Sequence, residues 1–367
     1  MDIFLVALIT LALAAGNGAN DNFKGAATLL GAGVTDYRRA LAFATVATAA
    51  GALASIMLAS GLLATFSGRG IVPDAVAGSA LFLGSVGAAA AGTVWLATRL
   101  GFPISTTHAL VGGLLGAGLA AAPDAVNISA VLRVMLLPLL LSPLVAIALS
   151  VALVPLLRRL ARAAARQPAP CLCVPIAVDA GAAMAIVPSV PLLARSDDPR
   201  CAPEQATVLT RLTVARSVDT LHYVSAGAVS FARGLNDTPK IAALMVAVGA
   251  ASPLNSSLAV ALAMAVGGWL AASRVGATMA HGITRMNPTE GLGGNMVTAL
   301  MVIVASRLGL PVSTTHVSCG ALFGIAAGNG QGRATTIIAI LGAWLITFPL
   351  AALLAFVILN SVRYSLH

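Results

Sequence analysis

Long apolar runs follow one another through this sequence and constrain its fold more than any other feature. They lie at about 3–15, 38–66, 76–98, 109–122, 131–157, 222–232, 241–250, 257–272, 294–306, 317–328 and 335–359. Only 9% of the 367 residues are charged, against roughly 25% in soluble domains, which argues against a water-soluble globule. At about 20 residues per crossing, the chain is predicted to be an all-α polytopic membrane protein with roughly 10–12 membrane segments.

The basic residues indicate how the chain is organised. The net charge is +9, but the arginines stand singly at the ends of apolar runs, so the excess is the positive-inside signal and no nucleic-acid partner is expected. Eight of the 21 basic residues lie in the gap at 158–216, which predicts a cytoplasmic loop. We therefore expect a first membrane repeat at 1–157, a polar loop at 158–216 and a second membrane repeat at 217–367, in a multi-pass protein of the bacterial inner membrane. Within the gap, the proline-containing stretch 174–193 is predicted to be extended or surface-associated.

Internal repetition divides the chain into two related halves. The segment 18–24 (GANDNFK) recurs at 234–240 (GLNDTPK), and 101–108 (GFPISTTH) recurs at 309–316 (GLPVSTTH). Both pairs keep the same order, with offsets of 216 and 208 residues, which indicates an internal duplication. If each half crosses the membrane an odd number of times, the halves form two inverted-topology repeats with broken or re-entrant helices and a site between them.

The repeated motifs have the character of helix breaks. Gly16, Gly18 and Asn20 are predicted to interrupt an apolar helix. Pro103 and Pro311 each precede a hydroxyl cluster, a pattern typical of a helix start with Ser or Thr at the N-cap. A helix N-terminus presents unpaired N–H groups and partial positive charge, which together favour an anion.

Two buried charge pairs are the most informative polar residues. An ionised carboxylate at mid-membrane costs about 2.5–3.5 kcal/mol on the insertion scale, so Asp21 and Asp237 need partners and mark function. The chain has 19 arginines but only two lysines, Lys24 and Lys240, each three residues after one of these aspartates. At this spacing the side chains share a helix face and can pair. Simple neutralisation of buried charge is the alternative explanation.

The hydroxyl clusters also allow two interpretations. Ser and Thr in membrane helices often bond only to their own backbone. Duplication of the cluster after proline favours a substrate-binding role instead, for Ser105, Thr106, Thr107, Ser313, Thr314 and Thr315. Other positions stay open. His108 and His316 can cap a helix or fill the interior, Arg233 can contact an anion or reach the interface, and the segment 287–291 can be a gate or a turn.

These motifs resemble the inorganic phosphate transporter (PiT) family of cation-coupled permeases. The resemblance rests on the two Asn-Asp motifs and the two Pro-x-Ser-Thr-Thr-His segments, and it covers some 300 residues across both halves. It implies an inverted-repeat secondary transporter that moves phosphate by alternating access, coupled to H⁺ or Na⁺, and not an enzyme. It implies coupling-ion positions at Asp21 and Asp237, with Na⁺ as the only metal ion implied there, and no other cofactor. The substrate-binding residues that we expect are the hydroxyl clusters together with Asn20, Asn236, Lys24 and Lys240.

One departure from the family pattern affects coupling and substrate. Many members have Asn where this chain has Lys24 and Lys240, and a fixed ammonium can take over the role of a bound sodium ion. We therefore expect weak sodium dependence, with proton coupling or facilitated permeation. Sulfate remains an alternative substrate, because aspartates fully occupied by lysine would favour an ion that only accepts hydrogen bonds. A lipid bilayer is the expected environment, and a homodimer remains an open assembly state.

An intramembrane protease is the alternative from a different class of protein. Two membrane aspartates can form the dyad of an intramembrane aspartyl protease. Such a dyad needs carboxylates about 3 Å apart without compensating cations. Here each aspartate is followed by its own lysine, and the duplicated hydroxyl clusters have no role in peptide hydrolysis. Both observations favour the transporter over the protease.

Overall fold

The first half of the chain folds into membrane helices. The computed structural model describes residues 2–175, 191–199 and 206–365. The helices of the first half are α1 (Ile3–Asp21), α2 (Ala27–Gly31), α3 (Tyr37–Leu58), α4 (Ser60–Thr65), α5 (Asp74–Ala77), α6 (Ala80–Leu100), α7 (Thr106–Ala121), α8 (Ile128–Ala130) and α9 (Leu137–Ala165). A 3₁₀ turn (Pro123–Ala125) precedes α8, and a π-helical turn (Val131–Leu136) joins α8 to α9.

The second half repeats this order with fewer short elements. Its helices are α10 (Val214–Ala247), α11 (Pro253–Ala271), α12 (Ser273–Ala277), α13 (Pro288–Arg307), α14 (Thr314–Asn329) and α15 (Ala334–Ser365). A π-helical turn (Thr278–Gly282) follows α12. Within the described ranges, seven helical segments are long and apolar enough to cross a membrane, the longest of them running through α8 and α9. The predicted all-α polytopic fold is confirmed, and the predicted number of 10–12 membrane segments stays a prediction.

The duplicated halves pack on each other reciprocally. α1 packs on α11, and its counterpart α10 packs on α3; α7 packs on α15, and its counterpart α14 packs on α9. Glycine permits the closest approaches: a Cβ on Gly18 would lie 1.9 Å from the Met264 carbonyl oxygen, and one on Gly234 would lie 2.1 Å from that of Thr48. Gly18 and Gly234 are equivalent in the duplication, so the repeat extends to helix packing. The opposite orientation of the two halves stays a prediction.

A small antiparallel sheet lies between the halves. Strands β1 (Pro170–Pro175), β2 (Leu192–Arg195) and β3 (Ala206–Arg211) pair in the order β2–β1–β3. Of the stretch 174–193 that we expected to be extended, 176–190 lies outside the described residues, while its two described ends belong to β1 and β2. The sheet leads from the end of α9 to the start of α10.

The helix boundaries agree with the sequence at one repeated motif and differ at the other. Ser105 and Ser313 cap α7 and α14, as predicted from the prolines before them. The interruption predicted at Gly16, Gly18 and Asn20 is wrong, because α1 continues to Asp21 and α10 is continuous throughout its own copy. A glycine costs a helix only about 1 kcal/mol, which close packing of α1 against α11 offsets. The chain does turn after Asp21, before α2 begins.

Candidate functional site

Each lysine pairs with its own aspartate and reaches the hydroxyl cluster of the other half. Lys24 Nζ forms an ion pair with Asp21 and donates a hydrogen bond to Thr315 Oγ1. Lys240 Nζ lies 3.9 Å from Asp237 Oδ1 and donates to Thr107 Oγ1 at 2.9 Å. All four charged side chains are at most 4% exposed. The Asn-Asp motif of each half therefore meets the hydroxyl cluster of the other half, across the interface between the halves.

The helix starts around these lysines are tied together by equivalent bonds. Thr315 Oγ1 donates to the Ile104 carbonyl at 2.6 Å, and Thr107 Oγ1 lies 3.4 Å from the Val312 carbonyl. The Val312 carbonyl also accepts from Lys240 Nζ at 2.6 Å. A carboxylate, a hydroxyl and a carbonyl thus surround this ammonium group, and such oxygen donors are also the ones that bind hard cations.

The serines and first threonines of the clusters have different tasks. Ser105 Oγ accepts from the His108 backbone N–H at 3.0 Å, and Ser313 Oγ accepts from that of His316 at 3.2 Å, so both serines cap their helices. Thr106 Oγ1 accepts from Asn17 Nδ2 at 3.0 Å. Thr314 Oγ1 is 3.4 Å from Asp237 Oδ2. The clusters therefore bond to more than their own backbone, in contrast to the purely local interpretation.

Asn17 and Arg233 join the two aspartates and were not predicted as a pair. Arg233 Nη2 donates to Asn17 Oδ1 at 2.5 Å, and Arg233 Nε lies 3.7 Å from Asp237 Oδ2. Asn17 Nδ2 donates to Asp21 Oδ2 at 3.0 Å and lies 3.4 Å from Asp237 Oδ2. Arg233 is 1% exposed, so the proposal that it reaches the interface is wrong. The sequence did contain a signal for this pair, because Asn17 and Arg233 are equivalent in the duplication and each immediately precedes an Asn-Asp motif.

The two motif asparagines hold the segments between helices in place. Asn20 Nδ2 donates to Thr98 Oγ1 and to the Phe102 carbonyl, both at 3.0 Å, and Asn20 Oδ1 accepts from the Ile104 N–H at 3.1 Å. In the second half, Asn236 Nδ2 donates to the Val312 carbonyl at 3.2 Å, and Asn236 Oδ1 accepts from Ser306 Oγ at 3.1 Å. In this conformation both amides contact protein groups, and their predicted contact with substrate stays a prediction.

The repeated histidines meet each other. The rings of His108 and His316 have centroids 4.5 Å apart, and His316 also lies 3.8 Å from the Trp344 ring. His108 and His316 are equivalent in the duplication, as are Asn17 and Arg233, so equivalent residues of the two halves meet at both places. The histidines fill the interior there, which is one of the two roles that we considered for them.

The formal charge of this site favours an anion. We define the ion cluster as Asp21, Lys24, Arg233, Asp237 and Lys240, all buried. Three cationic side chains face two carboxylates, which leaves one positive formal charge in excess. A buried excess charge is costly unless it is paired, so the cluster is electrostatically suited to take up an anion.

Comparison with known proteins connects this geometry to a family. The phosphate transporter family model matches residues 17–355. This chain belongs to the phosphate transporter family. The chloroplastic inorganic phosphate transporter 2-1 of Arabidopsis thaliana is 28% identical over 92% of this chain and 68% of its own length. A Mycobacterium leprae protein, named a probable low-affinity inorganic phosphate transporter, is 28% identical over 95% of this chain and 75% of its own.

A solved structure shares the fold. The protein named the sodium-dependent phosphate transporter superposes with a TM-score of 0.75 over 99% of both chains, at 20% sequence identity. The family resemblance predicted from the repeated motifs is confirmed, and the protein is an integral multi-pass membrane transporter and not an enzyme. The alternative of an intramembrane aspartyl protease is therefore wrong. The roles of individual site residues stay predictions.

Proposed function

We propose that this protein carries inorganic phosphate across the membrane by alternating access and binds it at the ion cluster. The observation that carries the proposal is the excess positive charge of that buried cluster, at the meeting point of both repeats. Lys24, Lys240 and Arg233 would supply charge-assisted hydrogen bonds to the phosphate oxygens. The starts of α7 and α14 add N–H dipoles beside them. Family membership supports phosphate as the substrate.

The environment of Asp237 favours phosphate over sulfate. Among the residues that the structure describes, Asp237 Oδ2 has only long contacts, at 3.4 Å to Asn17 Nδ2, 3.4 Å to Thr314 Oγ1 and 3.7 Å to Arg233 Nε. These distances exceed those of strong hydrogen bonds, so this oxygen can still accept from a donor. Phosphate near pH 7 carries a hydroxyl that can donate to it, whereas sulfate can only accept. The carboxylate thereby provides a basis for discrimination.

The two lysines support transport that does not require sodium. Each ammonium is placed among oxygen atoms of a carboxylate and a threonine hydroxyl, where a small cation would otherwise neutralise the aspartate. We propose that these tethered cations replace a coupling sodium ion. Transport is then driven by protons or proceeds down the phosphate gradient.

Radiolabelled phosphate uptake into proteoliposomes tests this function. We expect uptake that unlabelled phosphate abolishes and that a tenfold excess of sulfate reduces by less than about half. Asp237→Asn should abolish uptake while the purified variant keeps its elution volume, because the substitution removes the negative charge and replaces one of the two acceptor oxygens by an N–H donor. Absence of phosphate uptake by the reconstituted protein, or equal competition by sulfate, would overturn the assignment of substrate.

A further inference from the structure

A second group of buried polar residues lies on α2, α10 and α13, outside the ion cluster, and its Glu290 contacts α9, the helix that precedes the central segment. We call this group the polar arm; its members are Thr28, His222, Ser225, Glu290 and Asn295, each at most 7% exposed. His222 Nε2 lies 3.0 Å from Thr28 Oγ1, and Thr28 Oγ1 donates to Asn295 Oδ1 at 3.1 Å. Asn295 Nδ2 lies 3.3 Å from Ser225 Oγ. His222 Nδ1 has no hydrogen-bond partner among the residues that the structure describes.

The outer end of the polar arm is closed by an ion pair. Glu290 forms a salt bridge with Arg158 of α9, and its Oε2 also accepts from the Asn287 backbone N–H at 2.8 Å. The side chain of Arg158 is 23% exposed and lines an open cleft beside Arg162 and Asp219. Within the described part of the chain its Nε has no partner. Arg158 therefore has a buried guanidinium N–H without a described partner, on a side chain that is partly exposed to the cleft.

The equivalent arm of the other half is apolar throughout. Applying the offsets of the duplication to the polar arm gives Leu244, Val6, Ile9, Phe82 and Gly87 in place of Thr28, His222, Ser225, Glu290 and Asn295. The geometry is equivalent too, because a Cβ on Gly87 would contact Ile9 and Leu244, just as Asn295 contacts Ser225 and Thr28. Phe82 is 1% exposed where the other arm has its carboxylate. The two arms began as copies and now differ in polarity at all five positions, which indicates that the polar arm has a role that the apolar arm does not share.

The arginine that closes the polar arm also has a counterpart. Gly112 packs on Phe348 of α15, and its equivalent Gly320 packs on Pro143 of α9. Phe348 and Pro143 are therefore equivalent, with an offset of 205 residues. The same offset makes Arg363 of α15 equivalent to Arg158 of α9. Arg363 Nη1 donates to the Ala120 carbonyl at 2.8 Å instead of pairing with a carboxylate. The two ends thus keep an arginine, but among the described residues only the polar arm gives it an acidic partner that a competing anion can displace.

We propose that Arg158 is an oxyanion-binding residue at the outer end of the polar arm, and that the substrate enters or leaves this side by displacing Glu290 from it. Phosphate oxygens match a guanidinium in the same two-pronged way as a carboxylate. The neutral donors and acceptors of the arm then bond the anion on its way to or from the ion cluster. The opposite arm closes by apolar packing, so the two sides open by different means. This inference rests on the proposed function.

Phosphate titration of uptake tests the role of Arg158. Glu290→Gln keeps the helix cap, since Gln also completes a capping box, and removes the competing charge. It should lower the KM for phosphate presented on the side of the central segment by about tenfold or more, the scale of one hydrogen bond to a charged group. The double variant Arg158→Gln/Glu290→Gln leaves no unpaired buried charge and should raise this KM at least tenfold. The matched control Arg363→Gln should leave it unchanged, and an unchanged KM in the double variant would overturn the proposal.

Thiol labelling separates this inference from the identity of the substrate. Ser225→Cys places a thiol in the polar arm, and Ile9→Cys places one at the equivalent apolar position. A membrane-impermeant thiosulfonate should label the first and not the second, above the level of the unsubstituted chain, and Glu290→Gln should accelerate labelling at Cys introduced for Ser225. Absence of labelling at Cys introduced for Ser225 would show that the polar arm is not a solvated path, and equal labelling of both variants would show that the two arms do not differ in solvation. Either result would overturn the inference even if phosphate uptake is normal.

Discussion

Lys24 and Lys240 are the residues on which the proposed independence from sodium rests. Each is buried beside a carboxylate and contacts a threonine of the opposite half, so neither is free to serve as a surface charge. A tethered ammonium neutralises its aspartate permanently, whereas a sodium ion does so only while it is bound. The difference is one of thermodynamic linkage, because only a bound ion makes transport depend on ion concentration.

Replacing both lysines should restore sodium dependence. In the variant Lys24→Asn/Lys240→Asn, two carboxylates lose their partners in the membrane interior, and a bound cation becomes the means to neutralise them. We expect wild-type uptake in sodium and in choline to agree within about twofold, and the variant to take up phosphate at least tenfold faster in sodium, given the cost of an unpaired buried charge.

The control for this substitution is Arg39→Asn, which removes a cation from an exposed pair with Asp36. It should behave as the wild type in both media. The hypothesis fails if the wild-type protein already loses most of its uptake in choline. It also fails if the double variant, folded and reconstituted, transports equally in both.

At the scale of elements, paired glycines determine how the halves fit together. α1 and α11 approach at Gly18 and Gly267, and α3 and α10 approach at Gly51 and Gly234. In each case a Cβ would lie within 2.1 Å of a backbone carbonyl oxygen of the neighbouring helix. A backbone oxygen cannot move aside as a side chain can, so the contact requires glycine. The same helices carry the ion cluster, and their spacing therefore sets its geometry.

Substitution of Gly18 by alanine should separate these helices. We expect Gly18→Ala to destabilise the protein by about 1–3 kcal/mol, the usual range for overpacking, with a lower thermal unfolding midpoint in detergent. Gly92→Ala in α6 is the matched control, because no described atom lies within 4 Å of a Cβ there. It should leave the midpoint unchanged or raise it slightly through better helix propensity. A Gly18→Ala midpoint equal to that of the control would contradict this account of the packing.

The whole molecule is a duplication whose halves interlock around a shared centre. Equivalent residues meet at the centre, as Asn17 meets Arg233 and His108 meets His316. Away from it the halves diverge, with a polar arm on one side and an apolar arm on the other. Opposite orientation of the repeats would direct these arms to opposite faces of the membrane.

Sidedness of equivalent positions tests the orientation of the repeats. Val34 and Ala250 are related by the offset of the duplication, and both lie in the turns that precede α3 and α11. If the repeats are inverted, an impermeant maleimide applied to intact cells should label only one of Val34→Cys and Ala250→Cys above background. After permeabilisation it should label both. Labelling of both variants in intact cells would show parallel repeats.

Local features of the fold and site could be predicted from sequence because the groups involved are close in the chain. The caps formed by Ser105 and Ser313 join residues three apart, as do the ion pairs of Asp21 with Lys24 and Asp237 with Lys240. Because each of these short patterns occurs twice in the chain and in the same order, they could be distinguished from chance matches. The predicted interruption at Gly16, Gly18 and Asn20 was wrong because local propensity is weak and helix packing overrides it.

Only the tertiary structure decided which of these groups meet. The bond from Lys24 to Thr315 spans 291 residues, and the bonds from Arg233 to Asn17 span 216. Sequence periodicity shows the face of a helix but not the partner that this face meets, so neither contact was predicted. The difference between the polar and apolar arms likewise became meaningful only when packing showed that their residues line equivalent positions. Sequence alone determined a duplicated membrane transporter with two buried charge pairs; their union into one positively charged cluster follows from how the two halves interlock.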